Sequence, residues 1–319
     1  MAEPRVILNW DDNNNIEIGH KIYRSNASMN VNSLPTPIAT IGNNTTEYTD
    51  LDVIDGNQYY YTVSAYTPVD EAFSEEILAT ATAINLGPGP QELIAGNMTN
   101  GFFGEVQSSE FITGDQLATS LNITQGTSQY SDTPWLKFAL DDEIIFIPKK
   151  PIRNSVSWEH IYQVGAVYGT NDNGLYPSGG DRLQDAMVNV GDDSFKVTLL
   201  KGANTDPVAS NTTGYDLDWT HQSEWNRLMY PVHSGIHTAS SNPSTPSVPY
   251  SQWASYSDED LLVHNSFGNG TYNWCQEQHP GTSTYRVFRG YNGVTFASRS
   301  AATNALTSFG FRPALRLVR

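Results

Sequence analysis

The chain has little of several things. It has one cysteine, Cys275, in 319 residues. That excludes an intramolecular disulfide and any structural zinc site built on paired thiolates. Trp274 and Gln276 flank the thiol in what reads as a half-buried strand, so an inert packed sulfhydryl is expected. Basic residues are scarce: 17 Lys and Arg stand against 34 Asp and Glu, a net charge of −17. A nucleic-acid partner is excluded on that ground, because phosphate binding needs clustered cations that release counterions. Charged residues of both signs make up only 16%. Asn, Ser, Thr, Tyr and Gly take their place, which suits a β-rich, loop-rich chain better than a helical metabolic enzyme. No apolar run approaches the roughly eighteen residues of a membrane span. The longest, Ile144-Ile-Phe-Ile, is strand length, so no membrane insertion is expected. The opening Met-Ala-Glu-Pro lacks a basic and then apolar leader, and the expectation is synthesis in a cytoplasm without a Sec-type signal.

The length suffices for two domains. The first is read over 1–84. Val6-Ile-Leu-Asn-Trp, His20-Lys-Ile-Tyr-Arg, Ile38-Ala-Thr-Ile, Thr46-Glu-Tyr-Thr-Asp and Gln58-Tyr-Tyr-Tyr-Thr-Val-Ser-Ala-Tyr are strands separated by Asn, Asp and Gly turns, the pattern of an all-β sandwich. In the last of these, Tyr59, Tyr61, Val63 and Ala65 share one face. These 84 residues hold 12 acids and 3 bases, more than half of the net charge. Residues 85–97, beginning Asn85-Leu-Gly-Pro-Gly-Pro, read as a semi-rigid linker, because alternating Gly and Pro cannot continue a ladder. The second domain is read over 98–319. Thr113, Ser157 and Ser223 each precede a short helix as N-caps. Trp135-Leu-Lys-Phe-Ala-Leu and Glu143-Ile-Ile-Phe-Ile-Pro form a hairpin turning at Asp141-Asp142, and Phe195-Lys-Val-Thr-Leu-Leu is a further strand. Residues 231–284 read as a long irregular loop region. The last thirty-five residues carry six arginines and no acid and read as strand, exposed loop, strand. Arg289 and Arg312 are expected to be buried donors to loop carbonyls.

Trp10, the run Gly56-x-x-Tyr-x-Tyr-x-Val-x-Ala and the strand spacing resemble a fibronectin type III domain. The resemblance makes Tyr59 the corner tyrosine, its hydroxyl closing back on the preceding turn. Tyr285-Arg-Val-Phe-Arg-Gly-Tyr-Asn-Gly and Gly310-Phe-Arg-Pro-Ala-Leu-Arg-Leu-Val resemble the closing strands of the C-type-lectin-like fold. They are closest to the version shared by formylglycine-generating enzymes and retroelement-diversified phage receptor-binding proteins. The fold class expected is therefore an all-β sandwich followed by an α+β C-type-lectin-like domain. Phe-Phe-Gly-Glu at 102–105, Ser-Glu-Trp-Asn-Arg-Leu-Met at 223–229 and other strings across about 220 residues are similar to structural proteins of tailed phages. That resemblance implies a place on the exterior of a virion, on tail or head, assembled in a bacterial host's cytoplasm. It implies other virion proteins as partners and a homo-oligomer in the particle.

Several residue groups are candidates for chemistry. His233 and His237, with His221, His264 and His279 nearby, offer imidazoles for a metal, but no Glu follows His233 as in a helical metalloprotease motif. Exposed loop histidines are the plainer reading, and the metal assignment is left unknown. Asn171-Asp-Asn-Gly and Gly180-Asp181 offer oxygens to calcium, yet lack the alternating acids and terminal Glu of an EF-hand. Calcium stays possible, and otherwise no cofactor is expected. The formylglycine-generating relatives use a pair of cysteines, which one cysteine cannot supply. No Gly-x-Ser-x-Gly elbow is present. Asp141-Asp142 and Asp192-Asp193 are the visible acid pairs for glycoside hydrolysis, both in turns where solvated acids are usual. The chain is therefore expected not to be an enzyme.

A binding surface has more behind it. Long loops in compact domains are usually functional. Within 231–284, Tyr250, Trp253 and Tyr256 lie among Ser, Pro and Asn, a mixture like that of antibody paratopes. Trp274 reads instead as core filling. By the resemblance, Tyr291, Asn292, Phe296, Ser298, Ser300 and Asn304 match ligand-contacting strand and loop positions. The expectation is an adhesin for a host cell-surface glycan or protein. The alternative is an architectural decoration or collar protein that contacts other virion proteins.

Overall fold

Alternating side chains of the segment Gln58–Tyr66 set the core of the first unit. The computed structural model describes residues 3–11, 19–42, 45–175, 182–208, 223–239 and 248–319. Gly180, Asp181 and His221 lie outside the described residues. The chain divides after Leu86, into Met1–Leu86 and Gly87–Arg319. The first unit holds β1 (Glu3–Asn9), β2 (Gly19–Ser25), β3 (Ala39–Ile41), β4 (Glu47–Asp50), β5 (Gln58–Tyr66), β6 (Glu71–Phe73), β7 (Ile77–Thr80) and β8 (Thr82–Ile84). One antiparallel sheet runs β4-β1-β8, and the other runs β3-β2-β5-β6 with β7 also on β5. Val6 and Leu8 from the first sheet and Ile22, Tyr59 and Tyr61 from the second share one buried cluster. Each fully buried side chain of this kind contributes about 1.5–3 kcal/mol. The opposite face of β5 is also covered: Ser64 is buried and donates to Glu71 at 2.6 Å. The Tyr59 hydroxyl accepts from the Ile54 N–H at 3.1 Å, as expected of a corner tyrosine. Tyr61 donates to Asp50 at 2.8 Å, and Arg24 clamps the same carboxylate.

The second unit adds β9 (Ala95–Gly96), β10 (Asn100–Val106), α1 (Gly114–Ser120), β11 (Thr127–Ser128), β12 (Trp135–Leu140), β13 (Glu143–Pro148), β14 (Arg153–Asn154) and α2 (Trp158–Gln163). It continues with β15 (Met187–Val190), β16 (Asp193–Thr198), α3 (Glu224–Val232), β17 (Thr238–Ala239), β18 (Val248–Pro249) and α4 (Asp258–Leu261). It closes with β19 (Tyr272–Gln278), β20 (Tyr285–Gly290), β21 (Ala297–Ala301), β22 (Phe309–Phe311) and β23 (Ala314–Leu317). Seven strands form one sheet, β15-β16-β23-β13-β12-β10-β9, and six form a second, β11-β14-β22-β19-β20-β21. Strand dominates over helix throughout the described residues. No helix among them is long and apolar enough to cross a membrane.

Local chemistry explains the elements. Thr113 caps α1 in a reciprocal box with Gln116, and the hydroxyls of Ser157 and Ser223 accept from His160 and Asn226. Each cap stabilises its helix by about 1 kcal/mol. The β12–β13 hairpin turns through Asp141 and Asp142, both left-handed at φ +49° and +66°, the geometry of a tight two-residue hairpin. In α3, Trp225, Leu228, Met229 and Val232 form one apolar stripe that packs with Phe102, Leu136, Phe138 and Ile145. On the other side of the seven-stranded sheet, Phe111 packs against Trp135, Phe146 and Phe195 at 4.7–5.3 Å. Every residue of β12 is buried, as a strand covered on both faces must be.

Three features differ from the sequence reading. The 85–97 segment, read as a semi-rigid linker, is from Gly87 packed into the second unit. Lys137, fully buried, donates to the carbonyls of Pro88 and Pro90. A Cβ on Gly89 would overlap Val106 at 2.3 Å, so this Gly-Pro stretch serves close packing. Residues 231–284 are not wholly irregular, since they contain α4 and β19, a central strand pairing antiparallel with β20 and parallel with β22. The C-terminal "exposed loop" contains a strand of its own, β21, at the edge of the sheet.

Candidate functional site

The turn joining β20 to β21 gathers most of the sequence candidates. Gly290 and Tyr291 both have positive φ, +89° and +87°. Gly290 must lack a side chain, because a Cβ there would lie 2.4 Å from the Thr271 carbonyl oxygen. The turn is pinned by Gly290 N–H to the Phe296 carbonyl, 3.0 Å, and by Gly293 N–H to the Val263 carbonyl, 3.0 Å. Asn292 is exposed and bridges His264 through the backbone.

Beneath this turn an aromatic column rises from core to surface. Trp274 and Phe309 stack at 4.3 Å and are buried. Tyr272 stacks on Phe288 at 4.5 Å with a 4° interplanar angle. Tyr291 meets Tyr272 edge-on at 4.4 Å and Phe296 at 5.7 Å. The outer three rings, Tyr272, Tyr291 and Phe296, are half-buried. Burial, and then a hydrogen bond with Tyr291, pushes the Tyr272 phenol up to about 12.

Register places the polar candidates beside the column. Ser298 is paired with Phe288 and Ser300 with Arg286, so Ser298 and Ser300 lie on the column's face of the sheet. Asn304 donates to the Ser300 hydroxyl at 2.6 Å. Tyr291, Asn292, Phe296, Ser298, Ser300 and Asn304 thus form one continuous edge. Tyr272 belongs to it, from within the 231–284 region, although only Tyr250, Trp253 and Tyr256 of that region were assigned to ligand contact. Its signal was its place two residues before Trp274 on one strand face, legible only once β19 is recognised as a strand.

Tyr250, Trp253 and Tyr256 do not join this edge. They are half-buried and packed against the main core. Tyr250 meets Tyr230 edge-on at 5.2 Å, Trp253 lies 6.5 Å from Phe138, and Tyr256 lies under the Lys149 ammonium at 4.0 Å. Backbone bonds to the Pro231 and Val232 carbonyls hold this segment down.

The arginines act as scaffold. Arg289 donates to the Gly202 carbonyl at 2.8 Å, Asn226 at 2.7 Å and the Tyr230 hydroxyl at 2.6 Å. Arg312 donates to the Leu261 carbonyl. Both were expected as buried donors to loop carbonyls. Arg286 stacks on Trp158 at 4.2 Å and bonds three backbone carbonyls.

The histidines are used locally. His233 Nδ1 accepts from the Gly235 N–H at 2.9 Å, which fixes its tautomer: Nε2–H donates to Asp258 at 3.1 Å. His237 Nε2 then donates to His233 Nδ1 at 2.9 Å. Burial, and then the neighbouring His233, lowers His237 to about 4, against the opposing pull of Asp258. His264 and His279 accept from Ser266 and Gly281. Among the described residues no three His, Cys, Asp or Glu side chains are grouped to hold a metal. Asp172, the first acid of the calcium candidate, is turned onto Thr170 and the Gly174 N–H.

The remaining candidates are structural in geometry. Asp141 is clamped by both Arg227 nitrogens at 2.7 Å, which holds its carboxyl below the usual range. Cys275 is buried against Gly202, and burial pushes its thiol well up. Glu277 was missed by sequence reading. It is buried, accepts from the Gly202 N–H at 3.0 Å, and burial raises it to about 8. Comparison with protein-family models, with curated proteins and with solved structures returns no match.

Proposed function

We propose that this chain is a non-enzymatic surface protein of a tailed-phage virion that binds a host cell-surface glycan or protein through the β20–β21 edge. In this reading the first unit is a fibronectin type III-like spacer and the second a C-type-lectin-like reader. The Tyr59 corner supports the former. The observation that carries the binding role is Tyr291. A tyrosine held at φ +87° is strained by about 1–2 kcal/mol, and such strain marks positions where side-chain placement matters more than stability. Here it lifts a ring onto the outer end of a rigid aromatic column, beside the hydroxyls and amides of Ser298, Ser300, Asn304 and Asn292. Rigid rings that stack on sugar C–H faces or protein side chains, next to adaptable polar groups, make a low-entropy binding edge.

A second reading, the architectural one, draws on the first unit. Its edge strand β7 exposes Ile77 and Leu78 together, at 49% and 51%, and an unpaired apolar edge invites a protein neighbour. That suits a mount on the particle and is compatible with a reader at the other unit. Binding of the full chain to intact host cells, before and after glycan stripping, tests the proposal. Saturable binding lost on stripping supports a glycan, and binding that survives stripping supports a protein receptor. No binding by a folded sample overturns the adhesin reading in favour of the architectural one.

A further inference from the structure

The second unit carries a cleft of about 440 Å³, within the usual range for small-ligand sites of roughly 300–1,000 Å³. Its wall is built on β16 and β23. Lys196 and Arg316 lie directly opposite each other across these strands, an arrangement that normally costs stability because like charges face. The two cations are treated differently. Arg316 donates to Glu143 at 2.8 Å, to Glu224 at 2.6 Å and to Thr198 at 3.2 Å. Glu224 is further occupied by the Lys201 backbone N–H at 2.9 Å, and Asp141 by Arg227. Every carboxylate lining the cleft is therefore held by an arginine. The Lys196 and Lys201 ammonium groups, which also line it, have no hydrogen-bond or ion-pair partner among the described residues. Three cations, Lys196, Lys201 and Arg316, line the cleft with three carboxylates, but the carboxylates are all engaged by arginines and the two ammonium groups are not.

The stem of Lys196 packs close against Gly169. A Cβ at Gly169 would lie 2.8 Å from its Cδ and 2.6 Å from the Thr198 methyl. The missing side chain at Gly169, held at φ +67°, lets the lysine stem lie along the cleft wall. The rest of the lining sets the Thr198 hydroxyl, the Tyr168 phenol and Gln276 beside Leu140, Leu317 and Val318. Hydroxyl groups find polar partners here, and the C–H faces of a sugar ring find apolar side chains.

We propose that this cleft is a binding site for a carboxylate-bearing sugar, with Lys196 and Lys201 taking the carboxylate and the polar side chains of the wall taking ring hydroxyls. The site is separate from the aromatic edge and does not rest on it. The test is calorimetric titration of the full chain with glucuronate, glucose and inorganic phosphate, each at low and moderate salt. Glucuronate should bind, more weakly as salt rises, with glucose at least about tenfold weaker, since a hydrogen bond to a charged group is worth about one decade or more. Lys196→Gln with Lys201→Gln should abolish the difference between glucuronate and glucose. Lys196→Arg should retain it and keep the wild-type unfolding midpoint, and the double variant should keep or exceed that midpoint, because Lys196→Gln removes a like-charge pair. Equal binding of glucose overturns the role of the lysines. Phosphate binding as tight as glucuronate overturns the sugar, leaving an anion site only. Absence of glucuronate binding, or glucuronate binding unchanged in the double variant, overturns the proposal.

Discussion

His237 donates its Nε2 proton to Nδ1 of His233 across 2.9 Å, and His233 hands the chain on to Asp258. Protonating His237 would place a cation against its neighbour, and the folded state resists it, with a pKa near 4 against an ordinary 6.5. Between those values the unfolded chain binds the extra proton. Stability from this group is therefore complete above pH 6.5 and is lost as pH falls towards 4. Its half-exposure screens the effect, leaving about 1–2 kcal/mol. His160 and His279 are lowered in the same direction, so total acid sensitivity is not diagnostic. The difference between wild type and His237→Gln is: the variant should lose less stability between pH 7 and pH 4.5 in denaturant titrations. Parallel curves would show that His237 titrates normally.

Glu277 has the opposite sign. Its folded pKa near 8 lies above the ordinary 4.5, so its contribution is complete below 4.5 and declines as pH rises towards 8. At neutral pH the buried carboxyl costs about 2–3 kcal/mol. Gln keeps a carbonyl oxygen for the Gly202 N–H and has no proton to lose. Glu277→Gln should stabilise the second unit by about 1–3 kcal/mol at pH 7.5 and by much less at pH 5. Tryptophan fluorescence reports that unit, since six of the seven tryptophans lie beyond Gly87. A gap between variant and wild type that does not widen with pH would mean the carboxyl is ionised in the fold.

Arg289 ties β20 to α3 through Asn226 and Tyr230, and to the segment after β16 through the Gly202 carbonyl. A lysine carries the charge but not the planar fork, and it leaves acceptors unpaired in a buried space. Arg289→Lys should cost about 2–4 kcal/mol, against about 1 kcal/mol for Tyr230→Phe, which removes one of the three acceptors of Arg289. Equilibrium unfolding of both variants checks the ratio. Equal losses would mean the Tyr230 bond carries most of the coupling.

What was legible in the sequence was local. The caps Thr113, Ser157 and Ser223 work within three residues, and the Asp141-Asp142 turn within four. Tyr59 reaches only to Ile54. The buried Arg289 and Arg312 were legible because strand-like sequence without acids leaves carbonyls as their partners. What was hidden needs register. Strand β19 is buried on both faces, so Tyr-Asn-Trp-Cys-Gln-Glu-Gln carries no alternation; only a half-buried strand around Cys275 was legible, inside a region read as irregular. The pairing of Lys196 with Arg316 exists only because distant strands become neighbours. The His237–His233–Asp258 chain depends on α4 folding back against the end of α3, which no periodicity encodes.

Tyr291 separates stability from binding. At φ +87° a tyrosine costs about 1–2 kcal/mol relative to glycine. Its half-buried ring, against Tyr272 and Phe296, returns about 1–2 kcal/mol. Tyr291→Gly removes both, so the unfolding midpoint should move by less than about 1 kcal/mol. Tyr291→Ala keeps the strain and loses the ring, and should be the less stable of the two. If the ring is the outer anchor of the binding edge, both variants should bind cells at least about tenfold more weakly, although their stabilities differ. Phe296→Ala, which removes the ring's lateral support, should weaken binding without restoring any backbone relief. Binding that followed stability, with Tyr291→Gly near wild type and Tyr291→Ala impaired, would make the strained tyrosine a packing residue and move the recognition surface elsewhere.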